Sequence, residues 1–177
     1  TLDGKYVRLA KDLAKDMSEK FRDEEDFGFY LRSKSETKLV MEVKDFLDGA
    51  LPSANAMAAL SLAKLWSITG NRGYEFKLKK IIDGLRGKIE EQPLGYTGLL
   101  LSYEVVKNGP KEVVLTGHRE DRVIKDMINQ LKDLYLPEYT MTLHDPRKKD
   151  HEQDFYEIWR MSSEEVPTAY ICRDYAC

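Results

Sequence analysis

Cysteine is scarce in this chain. Only Cys172 and Cys177 are present, too few to staple a disulfide scaffold, so a reducing cytoplasm is the expected compartment. Histidine is nearly as rare. His118, His144 and His151 all lie beyond Gly117, so the helical segments before that point hold no histidine base. No apolar run approaches the ~20 residues that cross a bilayer. No long run of one charge sign occurs either. The densest basic cluster, Arg147-Lys148-Lys149, is flanked by Asp145, Asp150 and Glu152, and the formal net charge is -3. That balance argues against a nucleic-acid partner. An initiating methionine is also missing. The chain opens on Thr1 and reads as a piece of a longer protein, so the lack of a targeting signal carries no weight.

What is present fits an ordinary soluble domain: 42% apolar and 33% charged residues over 177 positions. This length supports one good core, or a core with a small appendage. From Asp3 to Asp23 an amphipathic helix is expected, with Val7, Ala10, Leu13, Ala14, Met17 and Phe21 on its inner face and Asp3 as its cap. Phe27–Leu31 and Thr37–Val43 read as two short strands around a Ser/Lys loop, a β-hairpin.

The most informative stretch runs from Asp48 to Leu60. A polar turn of Asp48, Gly49, Pro52, Ser53 and Asn55 leads into a helix, Ser53 to Thr69, that is apolar on almost every side. Such a helix is expected to be buried all round, and Gly70 ends it. The next helix, Tyr74 to Glu90, is one-sided, with Gly84 and Gly87 inside it. Each glycine weakens a helix by roughly 1 kcal/mol unless a neighbour packs closely there. Pro93 starts another apolar helix, and Gly109-Pro110 stops it. Buried, exposed, buried is the rhythm of an α/α toroid. After Pro110 the grammar changes. Glu112–Leu115, Tyr139–Leu143 and Thr168–Cys172 read as strands, and Asp121–Leu134 and His151–Met161 as helices. Alternation of this kind predicts a small parallel sheet with right-handed crossovers. The fold expected is therefore mainly α: helical hairpins of a partial toroid with a β-hairpin insert over residues 1–109, then a small parallel β-α-β unit over residues 110–177.

Three motifs carry chemistry. Val114-Leu115-Thr116-Gly117-His118 before a helix has the shape of an anion-binding loop, but with one glycine it matches neither glycine-rich fingerprint and reads as a plain connection. Cys172 and Cys177 are separated by four residues. That is not the spacing of a thioredoxin motif or of a zinc quartet; structural thiols are the first reading, with a disulfide or redox role as the alternative. Lys44, Asp45, Asp48, Ser53 and Asn55 form a polar cluster at the mouth of the apolar helix. Turn chemistry and capping explain it simply. The functional reading makes it the ligand-binding edge of a cavity, with Tyr96, Trp66 and Tyr103 as sugar-stacking faces. No metal site and no cofactor are expected.

Lys44-Asp45, Asp48-Gly49-Ala50, Pro52-Ser53-Ala54-Asn55, Lys111-Glu112-Val113-Val114, Leu136-Pro137 and the closing Thr168-Ala169-Tyr170-Ile171-Cys172 with Cys177 resemble, in this order, the C-terminal third of a family of thioredoxin-domain-containing proteins that includes spermatogenesis-associated proteins. The resemblance implies an (α/α)6 toroid of the six-hairpin glycosidase-like class, similar to N-acylglucosamine 2-epimerase, joined to a thioredoxin-like domain. Glu42 departs from the pattern, which has Arg two positions before the lysine. The thioredoxin half is absent, so redox chemistry does not carry over from it. The resemblance supports two roles as expectations. The chain either contributes one wall of a sugar cavity through Lys44, Asp45, Asp48, Ser53, Asn55 and Tyr96, or serves as a structural module that docks the thioredoxin-like domain without catalysis of its own. A third, a complete sugar-acting enzyme, needs paired acids about 5–9.5 Å apart, and Asp45 and Asp48 are too close in sequence to supply them by assumption. A piece of a toroid should also expose an apolar helix face and self-associate or repack through it.

Overall fold

The computed structural model describes residues 2–34, 42–136, 138–145 and 166–177. Its elements are α1 (Gly4–Phe21), α2 (Ala54–Thr69), α3 (Arg72–Glu91), α4 (Thr97–Asn108), β1 (Lys111–Thr116), α5 (Arg122–Asp133), β2 (Tyr139–His144) and β3 (Thr168–Arg173). A 3-10 turn, Pro93–Tyr96, leads into α4. The protein is mainly α with a small α/β tail. Among the described residues no helix is long and apolar enough to cross a membrane. The expected helix His151–Met161 lies outside the described residues.

Helix α2 is the hub. It packs against α1, α3, α4, β1 and β2. Ser53 caps its N-terminus, with Oγ accepting from the Ala56 N–H at 3.2 Å, and Gly70 closes the other end by donating to the Trp66 carbonyl at 2.8 Å. Ala56, Ala58, Ala59 and Ala63 are all buried, and their small side chains let neighbouring helices come close. Leu62, Leu78, Ile81, Leu85 and Leu99 complete the core at the junction of α2, α3 and α4. The all-round burial expected of α2 needs correction. Met57 is half exposed and Leu60 is only partly covered, so one flank of the helix is open.

Helix α1 begins as expected, Asp3 Oδ1 accepting from the Lys5 N–H at 3.0 Å. Its inner face is poorly covered, however. Only Gly4 and Ala14 are buried, and Leu13 is 60% exposed.

The expected β-hairpin does not form among the described residues. Residues 27–31 are irregular, with one isolated bridge between Arg22 and Phe29. Among the described residues, the Leu31 N–H donates to the Val43 carbonyl at 3.0 Å across the two arms, and residues 37–41 of the second arm lie outside the described residues. The apolar residues here serve the helical core instead. The Phe27 and Phe46 rings meet at a tilt with centroids 5.5 Å apart, and the Phe27 ring lies where a Cβ on Gly84 would stand. This close approach accounts for Gly84 within α3, while Gly87 faces open space.

The sheet order is β2-β1-β3. β1 and β2 are parallel and joined through α5, the expected β-α-β unit. Helix α5 covers one face with Ile124, Met127, Ile128 and Leu131 against Val113 and Leu115. β3 runs antiparallel to β1, which corrects the all-parallel reading. Residue alternation in a short strand does not encode direction. The residues after β3 bond to the ends of α2 and α4, Tyr175 to the Trp66 carbonyl and Arg173 to the Asn108 carbonyl.

Candidate functional site

The structure splits the predicted cluster into two linked knots. In the first, the Asp48 carboxylate sits between two helix starts. Oδ1 accepts from the Ser53 N–H at 2.9 Å, and Oδ2 accepts from the Gly98 N–H at 2.7 Å and the Thr97 hydroxyl at 3.1 Å. Tyr96, at the N-cap position of α4, makes no side-chain capping bond, so Asp48 caps α4 from a distance in sequence. An anion there also meets the positive end of the helix dipole. Burial pushes this carboxyl up, but the Ser53, Gly98 and Thr97 bonds outweigh it and hold the group below its ordinary value.

Asn55 is fully buried. Its Oδ1 accepts from the Phe29 N–H at 2.7 Å, and its Nδ2 donates to the Phe29 carbonyl at 2.9 Å and the Asp45 carbonyl at 2.8 Å. One amide thus clips two loops onto the start of α2. Gly28, at φ +83°, lets the chain pass against Asn55 and the Phe46 ring where a side chain would collide. Asp45 contributes its backbone carbonyl to this clip.

Lys44 belongs to the second knot. Its ammonium lies 2.7 Å from Asp23 and 3.0 Å from Asp26 and donates to the Phe27 carbonyl at 2.8 Å. The buried Asp23 carboxylate also accepts from the Tyr30 hydroxyl at 2.6 Å and from the Glu25 and Asp26 N–H groups. Burial raises the Asp23 pKa, yet bonds from Lys44, Tyr30 and these amides overcome it and hold the carboxyl well below the usual range. The Asp23 bond and burial push Tyr30 up to about 12. Burial alone would lower Lys44, but Asp23 and Asp26 raise it overall. Sequence reasoning missed Asp23 because Asp23-Glu24-Glu25-Asp26 looks like a solvated acidic turn. Asp23 is distinguished only by what folds over it.

Tyr96 is buried in the main core cluster. The polar atoms of Asp48, Ser53, Asn55 and Lys44 all have partners inside the chain. The Gly117 loop is likewise closed from within, Asp145 accepting from the Arg119 N–H at 3.2 Å and lying 3.1 Å from His118 Nδ1. Among the described residues no three His, Cys, Asp or Glu side chains gather as a metal site would require. Of the two readings of Cys172 and Cys177, the structure takes the disulfide, with their Cα atoms 4.1 Å apart. The strand ending at Arg173 turns straight back and brings the two together.

Among the described residues, an apolar groove of about 570 Å3 lies open. Helix α1 contributes Tyr6, Val7, Ala10, Leu13 and Met17, α2 contributes Leu60, Lys64, Leu65 and Ile68, and β2 contributes Met141, Thr142 and Leu143. Burial pushes the Lys64 ammonium down in pKa, with the Glu138 charge opposing. Its Nζ donates to the Tyr139 carbonyl at 3.3 Å. The signal for this groove was present in the sequence, as an amphipathic α1 beside an α2 with apolar residues on more faces than its neighbours cover.

No family model matches the chain. It is 24% identical over 155 residues to spermatogenesis-associated protein 20 of Homo sapiens, covering 85% of this chain and 20% of that protein. The Rattus norvegicus protein of the same name is 25% identical over 120 residues, 67% of this chain and 15% of that one. An uncharacterised protein of Caenorhabditis elegans is 20% identical over 172 residues, 97% of this chain and 23% of its own length. The likeness to spermatogenesis-associated protein 20 thus runs over 67–85% of this chain. The chain spans about a fifth of the length of the relatives it matches.

Proposed function

We propose that this chain is a non-catalytic packing module of a longer protein, and that the groove between α1, α2 and β2 seats the next helical unit of that protein. One observation carries the reading: no described residue fills a continuous apolar trough, while the polar groups that would bind a sugar are engaged within the chain. Contiguous apolar surface exposed to water and rimmed by polar residues marks interaction sites. The relatives' greater length offers a source for the cover. On this reading α1 to α4 belong to a ring of helical hairpins, a partial α/α toroid, and α1 is the helix whose neighbour lies elsewhere in the longer chain. A wall for a sugar cavity is the weaker reading, because Asp48, Ser53 and Asn55 would have to give up helix caps and loop clips to bind a ligand. A cytoplasmic location stays part of this proposal.

Hydrogen exchange tests it. Amides of residues 6–17 should exchange much more slowly in a longer protein carrying this domain than in the isolated chain. Equal exchange in both would reject the docking role.

A further inference from the structure

The last six residues form a hook. β3 ends at Arg173, and Asp174 and Tyr175 come next with φ of 49° and 62°. The Arg173 and Ala176 backbones then bond to each other in both directions at 2.9 and 3.0 Å. The Cys172–Cys177 disulfide closes this loop. From the hook, the Tyr175 hydroxyl donates to the Trp66 carbonyl at 2.6 Å, the Asp174 N–H to the Pro110 carbonyl at 2.7 Å and Arg173 Nε to the Asn108 carbonyl at 3.0 Å. The hook therefore clasps the ends of α2 and α4.

The two sulfurs sit in opposite environments. Cys177 is exposed. Cys172 is 2% exposed and packs with Val7, Ile68, Val114 and Tyr170. Directly across the ladder from Cys172, on the same sheet face, stands the buried Glu112. Apolar burial disfavours a thiolate, while exposure permits one. A loop this short also removes little freedom from the unfolded chain, so stability is a weak reason for the bond.

We propose that Cys172–Cys177 is a thiol–disulfide exchange site for dithiols, with Cys177 as the attacked sulfur and Cys172 as the buried leaving thiol. A thiolate of the dithiol attacks Cys177 Sγ. The Cys172–Cys177 bond breaks, a mixed disulfide forms on Cys177, and Cys172 leaves and takes a proton from water. The second sulfur of the dithiol then attacks the mixed disulfide. This releases Cys177, which is protonated in turn, and leaves the dithiol oxidised by two electrons. In a reducing compartment such a bond is transient, which is the usual state of exchange-active pairs there. Opening it frees Asp174 and Tyr175 from their left-handed conformations and the clasp from α2.

Treating the folded, oxidised chain with dithiothreitol tests the site directly, with alkylation and mass spectrometry to count thiols and circular dichroism to follow the fold. Both thiols should appear while the helical signal is retained. In single variants, oxidised glutathione should trap Cys177 in Cys172→Ser roughly tenfold faster than Cys172 in Cys177→Ser. A bond that yields only in denaturant overturns the proposal, as do equal trapping rates in the two variants.

Discussion

The polar turn and the apolar groove both belong to α2, and they differ in what they leave undone. At the turn, one carboxylate, one hydroxyl and one amide cap two helices and pin two loops. Along the flank, Leu60, Leu65 and Ile68 face a trough lined by α1 that nothing within the described residues fills. The polar residues grouped in sequence are engaged with one another and with nearby backbone, and the open surface among the described residues is apolar. A cluster of polar side chains at a helix mouth is thus informative only once its hydrogen bonds are counted, because a satisfied group has little left for a ligand.

The sharpest way to break this comparison is to attack the closed side of α2. Leu62 is fully buried, so Leu62→Ala should destabilise the chain by about 2–5 kcal/mol in urea unfolding. A change below ~0.5 kcal/mol would mean that α2 is not the hub.

Asn55→Ala tests whether the turn is architecture. It strands the Phe29 N–H and carbonyl and the Asp45 carbonyl in a buried place. With about 1–3 kcal/mol at stake for each buried unsatisfied group, a loss of about 3 kcal/mol is expected after partial relaxation. A stable Asn55→Ala protein would make this residue a free ligand-binding group again.

Asp48 allows a gentler version through pH. Its folded pKa lies below the ordinary value, so the unfolded chain takes up the proton first as pH falls. The stabilisation is complete above about pH 4 and disappears as pH drops toward the folded pKa. Asp48→Asn should lower stability at pH 7 by about 1–2 kcal/mol and flatten the acid side of the profile. Urea midpoints at about pH 7, 5 and 3 read this out, and parallel profiles for the two proteins would detach Asp48 from the α4 cap.

Much of the fold was legible because its causes are local. Asp3, Ser53 and Asp121 cap α1, α2 and α5, and Gly70 stops α2 where the apolar pattern ends. The hairpin reading fails because Phe27, Phe29 and Val43 alternate like strand residues, while tertiary packing uses Phe27 against Gly84 and Phe29 against Asn55. The direction of β3 and the pairing of the cysteines are tertiary features that no spacing encodes. The site was half visible. The residues of the turn stand out in the sequence, but their saturation by one another, and the role of Asp23, exist only in three dimensions.

The open side supplies the smallest expected effect on stability. Leu13 sits on the face of α1 that periodicity assigns to a core, yet it is 60% exposed. Truncation removes little buried area, and Ala is the better helix former, so Leu13→Ala should shift unfolding by less than ~0.5 kcal/mol. The same substitution should weaken whatever uses the trough. In the isolated chain, an apolar dye that fluoresces on binding should lose much of its signal, and any concentration-dependent self-association seen by sedimentation should fall. If Leu13→Ala instead destabilises the chain like Leu62→Ala, then α1 is closed in solution, and the contrast between a finished turn and an unfinished groove disappears.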